Sequence, residues 1–131
     1  MNHVYGSYRA SARRRNIPFE LQIEDFKRLG EMYCTYGGAK PSNKTIHNTR
    51  HYNGDWTYNG IDRRCNEKGY TLENSQPCCF ECNQAKSKKG EKEFLQLVVR
   101  IYRFLKLEEF MDDELRLPIV PRTEAEPDEP L

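Results

Sequence analysis

The stretch Pro77–Lys86, PCCFECNQAK, constrains this chain more than any other. It carries a C-x-x-C pair, Cys79 and Cys82, at the spacing that lets two thiolates grip one metal ion. A polar run compatible with a helix follows directly. A metal knuckle of this kind takes its other ligands from elsewhere. Upstream the sequence offers CTYGG, Cys34 to Gly38, with Gly37 where a second cysteine would complete a matching pair.

The size and composition of the chain give such a staple a purpose. A domain of 131 residues that is 31% charged and 37% hydrophobic builds only a modest core. No apolar run approaches the roughly 20 residues that span a bilayer, and MNHVYGSYRA lacks the apolar stretch of a secretion signal. These features predict a cytoplasmic protein without membrane association, where clustered cysteines mean metal more often than disulfides.

The net charge of +1 conceals an asymmetry. Residues 1–107 hold 19 Lys+Arg against 11 Asp+Glu, whereas residues 108–131 hold 2 against 9. A basic body suits a polyanionic partner, because each cation that meets a phosphate releases counterions. The acidic, proline-rich end reads as a disordered tail, able to cover the basic face, aid solubility or engage a protein partner.

Hydropathy patterning gives the elements. Residues 4–15 read as a short basic helix that Asn16-Ile17-Pro18 breaks. Ile23, Phe26 and Leu29 share one face of a second helix over 23–33, with Gly30 weakening its last turn. Residues 37–60 form a long polar loop with a hairpin-like end at Asn53-Gly54, before a strand start at Trp56-Thr57-Tyr58. Ile61-Asp62-Arg63 is a short extended segment, Glu67–Tyr70 its return turn, and a helix is expected from near Cys82 to Ser87. In residues 91–106, Phe94, Leu97, Val98, Ile101 and Leu105 recur at helical spacing, a stripe expected to face the core.

Strand GIDRR, turn NEKGY and PCC-x-x-CN opening a helix describe two strands and a helix around a metal. With YRASARRRNIPFELQIEDF, C-x-Y-x-G, PSN, YNGIDR and NEKGYTLEN in the same order, the chain resembles the HNH endonuclease family. These are the ββα-metal, or His-Me finger, nucleases, in the small form common in bacteriophages. The resemblance covers residues from about 5 to 105. It implies an α+β fold with a ββα-metal core, N-terminal helices and a long C-terminal helix, in a nuclease domain of residues 1–107 followed by the tail of 108–131. A phage protein of this kind would work in the cytoplasm of a bacterial host.

The resemblance also implies roles. A catalytic Mg²⁺ or Mn²⁺ would sit between Asp62 on the strand and Asn83 at the helix start, both hard oxygen donors, next to the scissile phosphate of duplex DNA. Asn74 would prop the active-site loop, and Lys86, one turn beyond Asn83, could reach a phosphate. Arg13, Arg14, Arg15, Arg64, Lys88 and Lys89 are the candidate DNA contacts. Taken singly, each of these residues has an ordinary role in a turn, a cap or a solvated surface; their order and spacing favour the functional one.

Two departures stand out. The family's Asp-His becomes Asp62-Arg63, and a guanidinium stays protonated, so Arg63 cannot be the general base, although it can clamp a phosphate. His47 and His51 are the alternative bases of suitable pKa. The structural Zn²⁺ site, expected as four cysteines, keeps Cys34, Cys79 and Cys82; the fourth corner is left to Cys78, Cys65, His47, His51 or water. Loss of zinc, with the cysteines acting as small apolar residues, is the other possibility. The expected activity is DNA phosphodiester hydrolysis, as endonuclease or nickase. The alternative is a catalytically impaired protein of the same fold that binds nucleic acid or a host factor.

Overall fold

The computed structural model describes residues 1–45 and 55–107. They form a mixed α+β fold in the order α1 (Asn2–Arg14), α2 (Ile23–Gly30), β1 (Asn43–Lys44), β2 (Thr57–Tyr58), β3 (Gly60–Arg63), β4 (Ser75–Cys78), α3 (Phe80–Lys86) and α4 (Glu91–Phe104). Two antiparallel pairs make up the sheet structure, β1 with β2 and β3 with β4. No helix among the described residues is long and apolar enough to cross a membrane. The proposed Asn53-Gly54 turn and the acidic tail of 108–131 lie outside the described residues.

Helix α1 stops where Asn16 takes φ 53, a left-handed conformation that asparagine tolerates better than most residues, and Ile17 N–H returns to Ala12 O at 2.9 Å. Helix α2 begins after an extended Gln22, with Glu24 and Asp25 in its first turn and Lys27 and Arg28 in its last, the arrangement a helix dipole favours. Its apolar face buries Phe26 and Leu29. Burial of a ring such as Phe26, 1% exposed, is worth about 1.5–3 kcal/mol.

The main core gathers Val4, Ala12, Leu21, Phe26, Leu29, Trp56, Ile61 and Tyr70. Aromatic rings run through it edge to face: Tyr5 on Phe26 at 5.4 Å, Tyr8 on Phe26 at 5.0 Å and Tyr8 on Tyr70 at 6.0 Å. The Tyr8 hydroxyl accepts the Ile61 N–H at 3.0 Å, which ties α1 to the start of β3. Burial pushes that hydroxyl up to about 12, so it stays neutral.

Helix α4 departs from expectation. The stripe Phe94, Leu97, Val98, Ile101 and Leu105 was expected to be core, yet only Phe94 is buried. Val98, Val99, Ile101 and Leu105 are about half exposed and Phe104 is 85% exposed. The cause is attachment at one end. Glu91 N–H donates to Arg64 O at 2.8 Å, Arg64 pairs with Glu91 at 2.9 Å, and the Phe94 ring meets Tyr36 edge-on at 5.2 Å. Beyond those first turns, the apolar positions lie open among the described residues.

The turn after β3 is pressed onto the segment that follows α1. Tyr70 N–H donates to Pro18 O at 2.9 Å, and Glu20 and Leu21 donate to Tyr70 O. A Cβ at Gly69 would overlap the Pro18 carbonyl and lie 2.8 Å from Pro18 Cβ. Because that carbonyl is held by a backbone bond, it cannot yield cheaply. Gly69→Ala is expected to lower unfolding free energy by about 1–3 kcal/mol, read as a lower urea midpoint at unchanged m-value.

Candidate functional site

Strands β3 and β4 pair Asp62 with Gln76 and Arg63 with Ser75. Alternation along β3 sends consecutive side chains to opposite sides, and the two neighbours therefore meet different surroundings. Asp62 turns inward and is 6% exposed. Its Oδ1 accepts from Lys86 Nζ at 3.1 Å, and its Oδ2 from Tyr36 Oη at 3.2 Å and Gln76 Nε2 at 3.3 Å. Gln76 also donates to Tyr36 Oη at 2.6 Å, while its Oε1 is buried without a hydrogen-bond partner. Burial, reinforced by the Asp62 charge, raises the Tyr36 pKa and keeps the phenol a donor.

Lys86 corrects the sequence-based expectation. It was to reach a phosphate, but it is wholly buried, bonded to Asp62 and to Arg63 O at 3.0 Å. Its stem crosses from α3 beneath β3 because the helix starts immediately after β4, at Phe80, and packs on β3. The charge neutralises Asp62 from inside rather than meeting a ligand from outside.

Arg63 takes the other side. Its Nη1 donates to Asn66 O and Lys68 O, both at 2.8 Å, and the guanidinium lies over the Tyr70 ring at 5.3 Å. Asn74 closes the same loop: Nδ2 donates to Cys65 O and Gly69 O at 3.0 and 2.8 Å, and Oδ1 accepts Cys65 N–H at 2.9 Å. One amide thus satisfies three backbone groups that would otherwise be orphaned. Asn66 carries the connection onward through bonds to Lys88 O and Lys89 O, between α3 and α4.

These elements frame a cleft of about 350 Å³ lined by Arg15, Asp62, Arg63, Tyr70, Asn83 and Ser87 among others. Arg15 Nη2 donates to Tyr70 Oη at 3.3 Å. Asn83 is exposed and reaches the cleft from α3, opposite the α1 residues. Two guanidinium groups against one carboxylate already neutralised by Lys86 make the lining positive, and hydroxyl and amide groups supply further hydrogen bonds. Such a cleft is suited to a phosphate-sized anion.

The other basic candidates are dispersed. Arg13 and Arg14 are exposed at the end of α1, and Lys88 and Lys89 lie between α3 and α4. Arg64 is paired with Glu91. His47 and His51 lie outside the described residues. Tyr36, Gln76, Tyr70 and Asn66 were missed by sequence reasoning. Tyr36 stood in the quoted C-x-Y-x-G without a role, and Gln76 becomes legible only through its register opposite Asp62.

A second constellation lies behind β4. The thiols of Cys34, Cys79 and Cys82 converge within 4.8 Å of one another, a group able to hold a metal ion. Three soft sulfur donors suit a thiophilic ion. The loop 34–39 is folded for this: Gly37 N–H points to Cys34 Sγ at 3.4 Å, Gly38 N–H to Cys34 O at 2.9 Å, and Thr35 N–H to Pro77 O at 3.0 Å. Gly38 has φ +65, a conformation glycine adopts without penalty. Asn59 secures both ends of the approach, donating to Met32 O and Ala39 O. Cys78 is buried beside the triad, with its S–H donating to Cys79 O at 3.5 Å. The neighbouring Cys78 thiol is the main influence that lowers the Cys34 pKa to about 4, while burial raises Cys82. Cys65 sits in the β3–β4 loop, apart from the triad.

No family model matches the chain, and no solved structure does. It is similar to an uncharacterized protein, R423, of Acanthamoeba polyphaga mimivirus, 34% identical over 82 residues. That match takes in 63% of this chain but spans only 13% of the viral protein.

The buried pair yields a direct prediction. Lys86→Met leaves the Asp62 carboxylate uncompensated and is expected to cost about 3–5 kcal/mol, whereas adding Asp62→Asn should recover much of the loss. A double-mutant cycle by urea unfolding reports the coupling. Additive effects of the two substitutions would show that the pair does not act as a unit.

Proposed function

We propose that this chain is a metal-dependent endonuclease or nickase of the HNH, ββα-metal type, hydrolysing DNA phosphodiester bonds. The observation that supports it most is the positive cleft in which Asp62 and Asn83 meet Arg15 and Arg63. Asp62 and Asn83 would hold Mg²⁺ or Mn²⁺, and the donor set fits: both are hard oxygen ligands. Asp62 accepts three hydrogen bonds, against the roughly four lone-pair sites of a carboxylate, so one position remains. When bound, the ion would stabilise negative charge at the phosphate.

The chain's own residues then have distinct tasks. Lys86 and Tyr36 fix the Asp62 carboxylate, and Asn74 and Arg63 fix the loop beside it. Arg15 and Arg63 orient the phosphate through N–H groups that stay charged at every relevant pH. His47 or His51 would accept the proton of the attacking water. Cys34, Cys79 and Cys82 would hold a structural Zn²⁺ that pins the start of α3, and so the position of Asn83. Duplex DNA is the proposed partner, and the cytoplasm of a bacterial host the proposed location.

A second reading has its own support. Asp62 is paired with a buried lysine and a guanidinium stands in the base position, as expected of a protein that binds nucleic acid without cutting it. It predicts salt-sensitive binding that persists in EDTA.

Conversion of supercoiled plasmid to nicked or linear form, with Mg²⁺ or Mn²⁺ and with EDTA, separates the two. Asn83 is exposed, so Asn83→Ala should leave the circular dichroism spectrum unchanged while lowering cleavage by about tenfold or more. Asp62→Ala should abolish cutting. DNA binding with no cleavage under any divalent ion would rule out the nuclease.

A further inference from the structure

The thiolate triad has one exposed side, next to Gly37. A side chain at Gly37 would place its Cβ 3.0 Å from Cys82 Sγ, a tight contact and the nearest one outside the adjoining residues. The direction from Gly37 therefore faces the Cys82 sulfur of the triad. Gly37 is itself exposed and Cys82 half-exposed, whereas Cys34 and Cys79 are buried. Its N–H already serves Cys34 Sγ, which ties the turn at Gly37 to the triad. Zn²⁺ in thiolate sites takes four ligands in a tetrahedron at about 2.3 Å from sulfur. Among the described residues three thiolates converge, which leaves one position, and the exposed side of the triad is the one that Gly37 and Cys82 share.

We infer that the Cys34–Cys79–Cys82 site binds a thiophilic divalent ion through three protein thiolates and keeps its fourth position, at Gly37, open to a thiolate from outside the site. The inference rests on the triad holding a metal, and is independent of whether the cleft cuts DNA. It adds an exchangeable position to what would otherwise be a closed structural centre. The donor set favours a soft entering ligand, because the three thiolates already present make the bound ion a poor partner for hard oxygen donors. Ligand exchange forms one metal–sulfur bond as the bond to the displaced ligand breaks, and the entering thiol gives its proton to solvent. No oxidation is involved.

Absorption spectroscopy of the reduced full chain titrated with Co²⁺ tests this. Wild type should show sulfur-to-cobalt charge transfer with about three-quarters of the intensity found in Gly37→Cys, in line with three thiolates against four. Addition of 2-mercaptoethanol should shift the wild-type ligand-field bands and raise that intensity, with Gly37→Cys unresponsive. If the outside thiolate is instead a cysteine of another copy, the wild-type spectrum should change with protein concentration in the absence of small thiol. Gly37→Cys is also expected to hold Co²⁺ at least tenfold more tightly. Should that variant not fold, the response of wild type to 2-mercaptoethanol decides by itself.

Three results would overturn the inference. One is a wild-type spectrum indifferent to both thiol and protein concentration. Another is a spectrum altered by Cys78→Ala, His47→Ala or His51→Ala, which would place a protein ligand in the fourth position. The third is failure of the reduced protein to bind Co²⁺ at all. Plasmid cleavage measured on the same samples reports separately on the nuclease proposal.

Discussion

The contact between Lys86 Nζ and Asp62 Oδ1, 3.1 Å long and buried, organises the rest of the structure. Neither charge could be buried alone, since taking an isolated ion from water costs several kcal/mol. Together, with Tyr36, Gln76 and Arg63 O satisfying further donors and acceptors, they tie α3, β3, β4 and the loop 34–39 into one polar core. That core is small and specific where the aromatic core beneath it is broad. A buried pair adds little net stability over an apolar substitute, so its value lies in fixing which residues face which way.

Around that pair the molecule divides its labour. Tyr8, Phe26 and Tyr70 fasten the N-terminal helices to β3, and their packing places Arg15 at the cleft. The cysteine triad gathers the loop 34–39 against the start of α3, on the other side of β4. Tyr36 joins both halves, because its hydroxyl meets Asp62 while its ring carries Phe94 and the root of α4. A disturbance of the loop 34–39 therefore reaches Asp62 through Tyr36, and one of α3 through Lys86. Helix α4 contributes least to this frame, which explains how it can leave an apolar surface open.

Several features were legible in the sequence because they depend on local chemistry. Pro18 and Asn16 end α1 through backbone restriction alone. The polar run after C-x-x-C becomes α3, and the order of GIDR, the turn and PCC becomes β3, loop and β4. Convergence of Cys34 with Cys79 and Cys82 was also expected, because the resemblance puts these three cysteines at one site. Asn74 is similar: an asparagine at the end of a turn commonly satisfies backbone groups nearby, and here it bonds to Cys65 and Gly69.

Other features could not be read from the chain. A lysine four residues past C-x-x-C looks like a surface cation, and periodicity in 91–106 looks like a core stripe. Each expectation failed because burial is set by what packs opposite, which no local pattern encodes. The sequence by itself determined the segments, the supply of thiols and the charge balance, all carried by residue type and spacing. Only the tertiary structure decided that Lys86 points inward to Asp62, that Gln76 and Tyr36 complete that site, and that Gly37 lies against the Cys82 sulfur. Those outcomes depend on distances between atoms far apart in the chain, and packing sets those distances.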